Sequence, residues 1–194
     1  MQFKLGTKVF TSDEHQVGTV DHVVIAPGTN NVTNLGIRKG FLFIKDKVVP
    51  VEAVQSANAN RIILSHAAGD PDQYPDFEER RQVPAEADVM PRDSRSSLEF
   101  GGGAMADPRP RFVTTTLRNI PDDTVPLKAG TRIISSDDKH VGDVERVLTA
   151  PEEPNHATQV VMLQGLLTKT RRALPIEWVS HVLEGELHLT VDLH

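Results

Sequence analysis

The sequence predicts an all-β protein, built as two small β units joined by a long connection containing many prolines and glycines. Three observations predict it. First, the chain repeats itself. Gly6-Thr7-Lys8-Val9 returns as Gly130-Thr131-Arg132-Ile133, Ser12-Asp13 as Ser136-Asp137, and Val17-Gly18-Thr19-Val20-Asp21-His22-Val23 as Val141-Gly142-Asp143-Val144-Glu145-Arg146-Val147. A repeat of about 65 residues, present once at each end, marks two units rather than one large domain. Second, the apolar runs are short, rich in β-branched residues and bounded by glycine, proline or polar turns, as strands are. Third, residues 67–124 hold Pro71, Pro75, Pro84, Pro91, Pro108, Pro110 and Pro121 with the triplet Gly101-Gly102-Gly103, and show no apolar periodicity. The expected division is therefore 1–66, 67–124 and 125–194.

In the first unit, Val9-Phe10-Thr11 reads as a short strand and residues 12–16 as a polar turn. Residues 17–25 read as a longer strand ending at Ala26-Pro27-Gly28. Its apolar positions break period-two alternation, and Gly18 with the β-branched content points to a bulge or bend of the kind a small barrel needs. Residues 32–39 form the next strand, stopped by Gly40. Phe41-Leu42-Phe43-Ile44 and Val48-Val49 then form a hairpin around Lys45-Asp46-Lys47. Pro50 opens a single helical or 3₁₀ turn, and Arg61-Ile62-Ile63-Leu64 closes the unit. The second unit repeats the plan, with Pro151 for Pro27, Gly165 for Gly40, Pro175 for Pro50 and Glu177 for Glu52. Its last strand alternates Leu187, Leu189, Val191 and Leu193 against His188, Thr190, Asp192 and His194. Two readings stand for the middle segment: a flexible acidic connection, or a piece that docks on a barrel or a partner through Tyr74, Phe77, Leu98, Phe100 or Phe112.

Each unit is close to the size at which one core is barely sufficient, so the halves are expected to lean on each other or on a second copy. The net charge of −6 is spread without a basic stripe, against the electrostatic footprint of a nucleic-acid binder. There is no cysteine, which excludes disulfides and thiolate chemistry. No run approaches 18 apolar residues, so no membrane span is expected. The first residues lack the apolar core of a secretion signal, and a cytoplasmic location is the default expectation.

At Gly6-Thr7-x-Val9, Ser12-Asp13, Val17-Gly18-x-Val20 and Pro50-Val51-Glu52-Ala53-Val54 the chain resembles the PRC-barrel family, and the pattern occurs twice in the same order. The resemblance implies a mostly antiparallel barrel of six or so strands per unit. It further implies a binding or assembly role without enzymatic activity, and the chain is most similar in form to the stand-alone bacterial members.

The residues themselves offer little chemistry. His15, His22, His66, His140, His156, His181, His188 and His194 show no metal-ligand spacing, and His188, Asp192 and His194 spread too far along one strand to share an ion. His15 and His22 align with Lys139 and Arg146, which reads as surface. No phosphate-binding glycine loop or nucleophile elbow is present. The paired carboxylates (Asp13-Glu14, Asp122-Asp123, Asp137-Asp138, Glu152-Glu153) lie in turns or linkers. No catalytic residue, metal or cofactor is therefore expected. Two basic patches remain, Lys45 with Lys47 and Lys169 with Arg171 and Arg172. Both are placed at equivalent hairpin tips, where they could contact a partner or a phosphate. The expected function is a non-catalytic scaffold or adaptor for protein partners, with the barrels pairing within or between chains. The alternative is a ribosome- or RNA-associated maturation or stress factor.

Overall fold

The computed structural model describes residues 1–39, 45–66, 70–84, 112–165, 168–183 and 185–193. All of its extended elements are strands, and the helical ones are single 3₁₀ turns. The first half carries β1 (Gln2–Lys4), β2 (Lys8–Phe10), β3 (Gln16–Ala26), β4 (Asn31–Lys39), β5 (Lys45–Pro50), β6 (Val54–Ala57) and β7 (Arg61–Leu64), with a 3₁₀ turn at Val51–Ala53. A 3₁₀ turn at Pro71–Gln73 and the strands β8 (Glu78–Pro84) and β9 (Phe112–Arg118) follow. The second half carries β10 (Val125–Lys128), β11 (Arg132–Ile134), β12 (His140–Thr149), β13 (Ala157–Gln164), β14 (Thr170–Pro175), β15 (Val179–Leu183) and β16 (Glu186–Leu189), with a 3₁₀ turn at Ile176–Trp178. No helix among the described residues is long and apolar enough to cross a membrane.

Two seven-stranded sheets share one plan. The first runs β5-β4-β3-β2-β7-β6 and the second β14-β13-β12-β11-β16-β15, the strands matching one for one. Most pairs are antiparallel, but β2 runs parallel to β7 and β11 parallel to β16. Neither path closes among the described residues, so the expected barrels are open sheets. At the place where closure would occur, Pro50 and Pro175 turn the chain into a 3₁₀ corner. Proline fixes φ and brings no N–H, so it favours a corner over a continued ladder. After the corner β6 pairs with β7, and β15 with β16.

The seventh strand of each sheet comes from the other half. β1 pairs with β12, setting Phe3 opposite Val147, while β10 pairs with β3, setting Leu127 opposite Val23. The registers are equivalent across the repeat, since Phe3 matches Leu127 and Val147 matches Val23. Gly6 (φ +81°) and Gly130 (φ +77°) follow the exchanged strands, each in a left-handed conformation that glycine adopts freely. There the chain leaves one sheet for the other: the Leu5 N–H donates to Glu145 O, and the Gly6 N–H to Val20 O. The halves also meet at Asn31 and His156, which occupy equivalent positions and bridge each other. The Val32 N–H donates to Asn155 O (2.7 Å) and the Ala157 N–H to Asn30 O (2.8 Å). This is an isologous contact, of the kind that normally joins two subunits.

One core results. Phe3, Val9, Val23, Leu35 and Ile62 pack in the same cluster as Leu127, Ile133, Val147, Val160 and Leu187, with Trp178 against its edge. Met1 to Phe77 and Asn119 to His194 accordingly form one compact unit. Glu78–Arg118 forms a second, in which β8 and β9 pair from Glu78 opposite Arg118 to Pro84 opposite Phe112. The middle segment therefore contains a ladder that its lack of apolar periodicity hid; β9 is nonetheless β-branched, Val113-Thr114-Thr115-Thr116. Leu98, Phe100 and the glycine triplet lie outside the described residues, as do Gly40 and Phe41-Leu42-Phe43-Ile44.

Leu127→Ala removes an apolar side chain from the first sheet's exchanged strand and is expected to cost about 3 kcal/mol. The urea midpoint followed by Trp178, which sits in the second half, should fall as far as that followed by far-UV circular dichroism. A Trp178 transition unmoved by L127A would mean that the halves unfold separately.

Candidate functional site

The outer face of the first sheet, away from the shared core, carries a connected set of polar groups. Its origin is a bulge. Val20 pairs with Ile37 but His22 with Gly36, leaving Asp21 as an extra residue in β3. A bulge interrupts side-chain alternation, so Asp21 and His22 share one face while Val20 and Val23 face the core. His22 is buried, 1% exposed, and lies flat beneath Phe77 with ring centroids 4.1 Å apart. Opposite it, a Cβ on Gly36 would stand only 2.9 Å from the His22 ring and Cβ, so only glycine leaves room for the imidazole.

Phe77 arrives on an extended stretch that lines the free edge of β5. The Val48 N–H donates to Pro75 O (3.0 Å) and the Phe77 N–H to Asp46 O (2.6 Å), with Lys47 and Asp76 facing each other. The Lys47 ammonium binds Asp76 Oδ1 (2.8 Å) and Tyr74 O (2.9 Å). The ring then closes a small apolar cluster with Val24, Val48 and Ile120. Of the residues named for docking, Tyr74 and Phe77 do dock on the first sheet.

Around the ring runs a chain of charges. Asp21 binds Arg38 (2.6 Å), Arg38 Nε lies 3.3 Å from Asp46, and His22 Nδ1 lies 3.1 Å from Asp21. Burial pushes the Asp21 carboxyl up, outweighing the pull of Arg38, and the nearby Asp46 charge adds to the rise. Donor atoms of Asp21, His22 and Asp46 lie within 4.8 Å of one another, close enough for one cation. The Arg38 guanidinium, however, already pairs with both carboxylates and supplies the positive charge there. With His22 sealed under Phe77, the arrangement suits holding a segment in place better than moving a proton.

The second sheet keeps the bulge and changes its surroundings. Val144 pairs with Met162 and Arg146 with Val161, so Glu145 is the extra residue where the first sheet has Asp21. Glu145 accepts from Arg171 through Nε (2.9 Å) and from Arg146 (3.2 Å). Burial alone would raise its carboxyl, but hydrogen bonds from the two arginines outweigh that and hold it below the ordinary glutamate range. At the repeated turn, Asp137 is lowered to about 2 by hydrogen bonds from Lys139 and Ser135.

Of the basic residues expected at hairpin tips, Lys169 lies in the loop between β13 and β14, while Lys47, Arg171 and Arg172 stand within strands. Lys47 lies inside β5 and Arg171 and Arg172 inside β14, with Arg171 opposite Leu163 and Arg172 opposite Met162. Lys47 is bound to Asp76, and Arg171 to Glu145. Lys169 precedes β14 and is exposed, as is Arg172. Lys45 starts β5, and its side chain lies outside the described part. His22, expected on the surface by its match to Arg146, is the residue the sequence misplaced. A usable signal was there: the pair His22 and Gly36 becomes Arg146 and Val161 in the second copy, a change at two facing positions. His188 stacks on His181, 4.6 Å between centroids, and lies 3.8 Å from Glu186. His194 lies outside the described residues. In a cleft of about 440 Å³ lined by Thr11, Ser12, Asp13, His15, His66 and Asp70, Ser12 Oγ and His66 Nδ1 lie 3.5 Å apart and the Thr11 hydroxyl donates to His15 O.

Residues 5–69 match the family model of the PRC-barrel domain. The match begins just after the exchanged strand β1 and spans β2 to β7, six of the seven strands of the first sheet; β10 comes from beyond it. No curated protein matches the chain.

Gly36→Ala should cost about 1–3 kcal/mol by crowding His22, and the same change made on His22→Ala should cost much less. Equal costs in a double-mutant cycle would rule out the steric coupling. Glu145→Gln should cost about 1–3 kcal/mol at neutral pH. Because the folded-state value lies below the unfolded one, the stabilisation is whole above the ordinary glutamate range and disappears as pH falls through the folded value. Thermal melts of wild type and E145Q should therefore converge in acid; a gap constant with pH would contradict the ion-pair role.

Proposed function

We propose that this protein is a non-catalytic binding or assembly module, made of two PRC-type units fused in one chain and interlocked by exchanged strands. One observation carries the reading: residues 5–69 match the PRC-barrel domain, and the second sheet repeats the strand order and bulge register of the first. A PRC-barrel domain brings a general role in binding or assembly, and proteins are the partners it suggests. The disposition of the polar groups supports the same reading, because the charged groups on the first sheet's outer face are committed to one another. Asp21, Arg38 and Asp46 form a closed charge chain, and His22 lies under Phe77 where no substrate reaches it.

The RNA-associated alternative draws on the same family resemblance and on basic hairpin residues, of which Lys169 and Arg172 are exposed and two are committed elsewhere. Lys47 and Arg171 are neutralised by Asp76 and Glu145, and neither stands at a loop tip where a phosphate backbone would be met first.

Size-exclusion chromatography of the tagged full chain from native lysate, with mass spectrometry of its fractions, tests the proposal. The chain should elute in a complex with a stoichiometric protein partner that survives nuclease and high salt. Elution alone, or a complex dissolved by nuclease and salt, would overturn it, the latter in favour of RNA.

A further inference from the structure

We infer that the outward edge of β14 is a docking strand for an extended acidic–aromatic segment of a partner protein, the counterpart of the stretch that Tyr74, Pro75, Asp76 and Phe77 lay along β5. The inference rests on the binding role proposed above and names its surface and ligand chemistry.

The repeat supplies the template. β4 sets Gly36 opposite Val48, and β13 sets Val161 opposite Ala173, the same register at matching positions. In an antiparallel ladder alternate residues direct both backbone groups to the same side. The Val48 N–H and Asp46 C=O point away from β4 and are taken by Pro75 and Phe77. The Ala173 N–H and Arg171 C=O therefore point away from β13. Among the described residues no segment pairs with that edge, and Thr170, Arg171, Arg172 and Ala173 are all exposed. An open edge of this kind is a template for an added strand.

Side chains specify what the strand carries. In the first sheet an acid, Asp76, meets Lys47, and the aromatic residue after it lands on His22, Val24 and Val48. The matching positions in the second sheet are Arg172, then Arg146, Leu148 and Ala173. Arg172 keeps the positive charge and is exposed, which calls for an acid in the ligand. Leu148, at the place of Val24, is half-buried and offers apolar surface to a ring. Arg146 replaces the stacked imidazole with a guanidinium that Glu145 and Gln2 hold in place, and the face of a guanidinium also receives an aromatic ring. Proline fits one residue before the acid, because the residue in that place only accepts a hydrogen bond, as Pro75 does. The ligand is thus an extended strand with proline, acid and aromatic in succession.

A fluorescent peptide with the sequence of residues 72–79 (Asp-Gln-Tyr-Pro-Asp-Phe-Glu-Glu) serves as the probe, titrated into the full chain by anisotropy. Binding should weaken at least ten-fold in Arg172→Glu and recover when the peptide's second aspartate is replaced by lysine. Ala173→Pro, which removes the outward donor at an edge position where proline is tolerated, should also abolish binding. Absence of binding, or binding indifferent to both variants, would overturn the docking strand. Self-association of the chain that R172E abolishes would also overturn it, by assigning the edge to a second copy. If R172E leaves the partner complex from lysate intact, the surface is wrong while the binding role stands; loss of any partner from wild type removes both.

Discussion

Everything in this molecule depends on the reciprocal exchange of two short strands. Phe3 fills a place in the second sheet and Leu127 the matching place in the first, each fully buried. Burying one such side chain is worth about 1.5–3 kcal/mol, a large share of what a unit of this size can muster alone. Each half is thus completed by the other. Because both halves belong to one chain, the exchange is intramolecular and does not depend on concentration, unlike strand swapping between separate copies.

That arrangement explains why the inner faces agree while the outer faces differ. The shared core must satisfy both halves around an approximate two-fold relation, and Asn31 meeting His156 is its clearest mark. The outer faces carry no such obligation. Both sheets bulge at an acid, but Asp21 takes its cation from β4 and Glu145 takes one from β14. Gly36 makes room for a flat imidazole under Phe77, while Val161 stands where that room would be. One outer face is thereby covered by a segment of its own chain, and the other keeps an exposed edge.

Much of this was legible in the sequence, for local reasons. Turn-forming glycines and prolines marked the ends of β3, β4, β12 and β13, and Pro50 and Pro175 announced the 3₁₀ corners within a residue. The exchange was not legible. Gln2-Phe3-Lys4 offers a single apolar residue, and nothing in three residues says that the partner strand lies in the other half. The burial of His22 was hidden because the bulge at Asp21 reverses the side-chain parity that alternation would assign. Lys45-Asp46-Lys47 reads as a tip because it is charged throughout; its strand pairing depends on β4 and on the neighbouring Asp76, both set by tertiary context. The parallel pairing of β2 with β7 is likewise non-local, and open sheets differ from closed barrels only at their last two strands.

Native-state amide hydrogen exchange on the full chain measures the interdependence of the halves most directly. If the exchanged strands hold them as one cooperative body, the most protected amides of β3 and β12 should share one opening free energy and one dependence on denaturant. Two distinct plateaus, with β12 opening while β3 stays protected or the reverse, would contradict it.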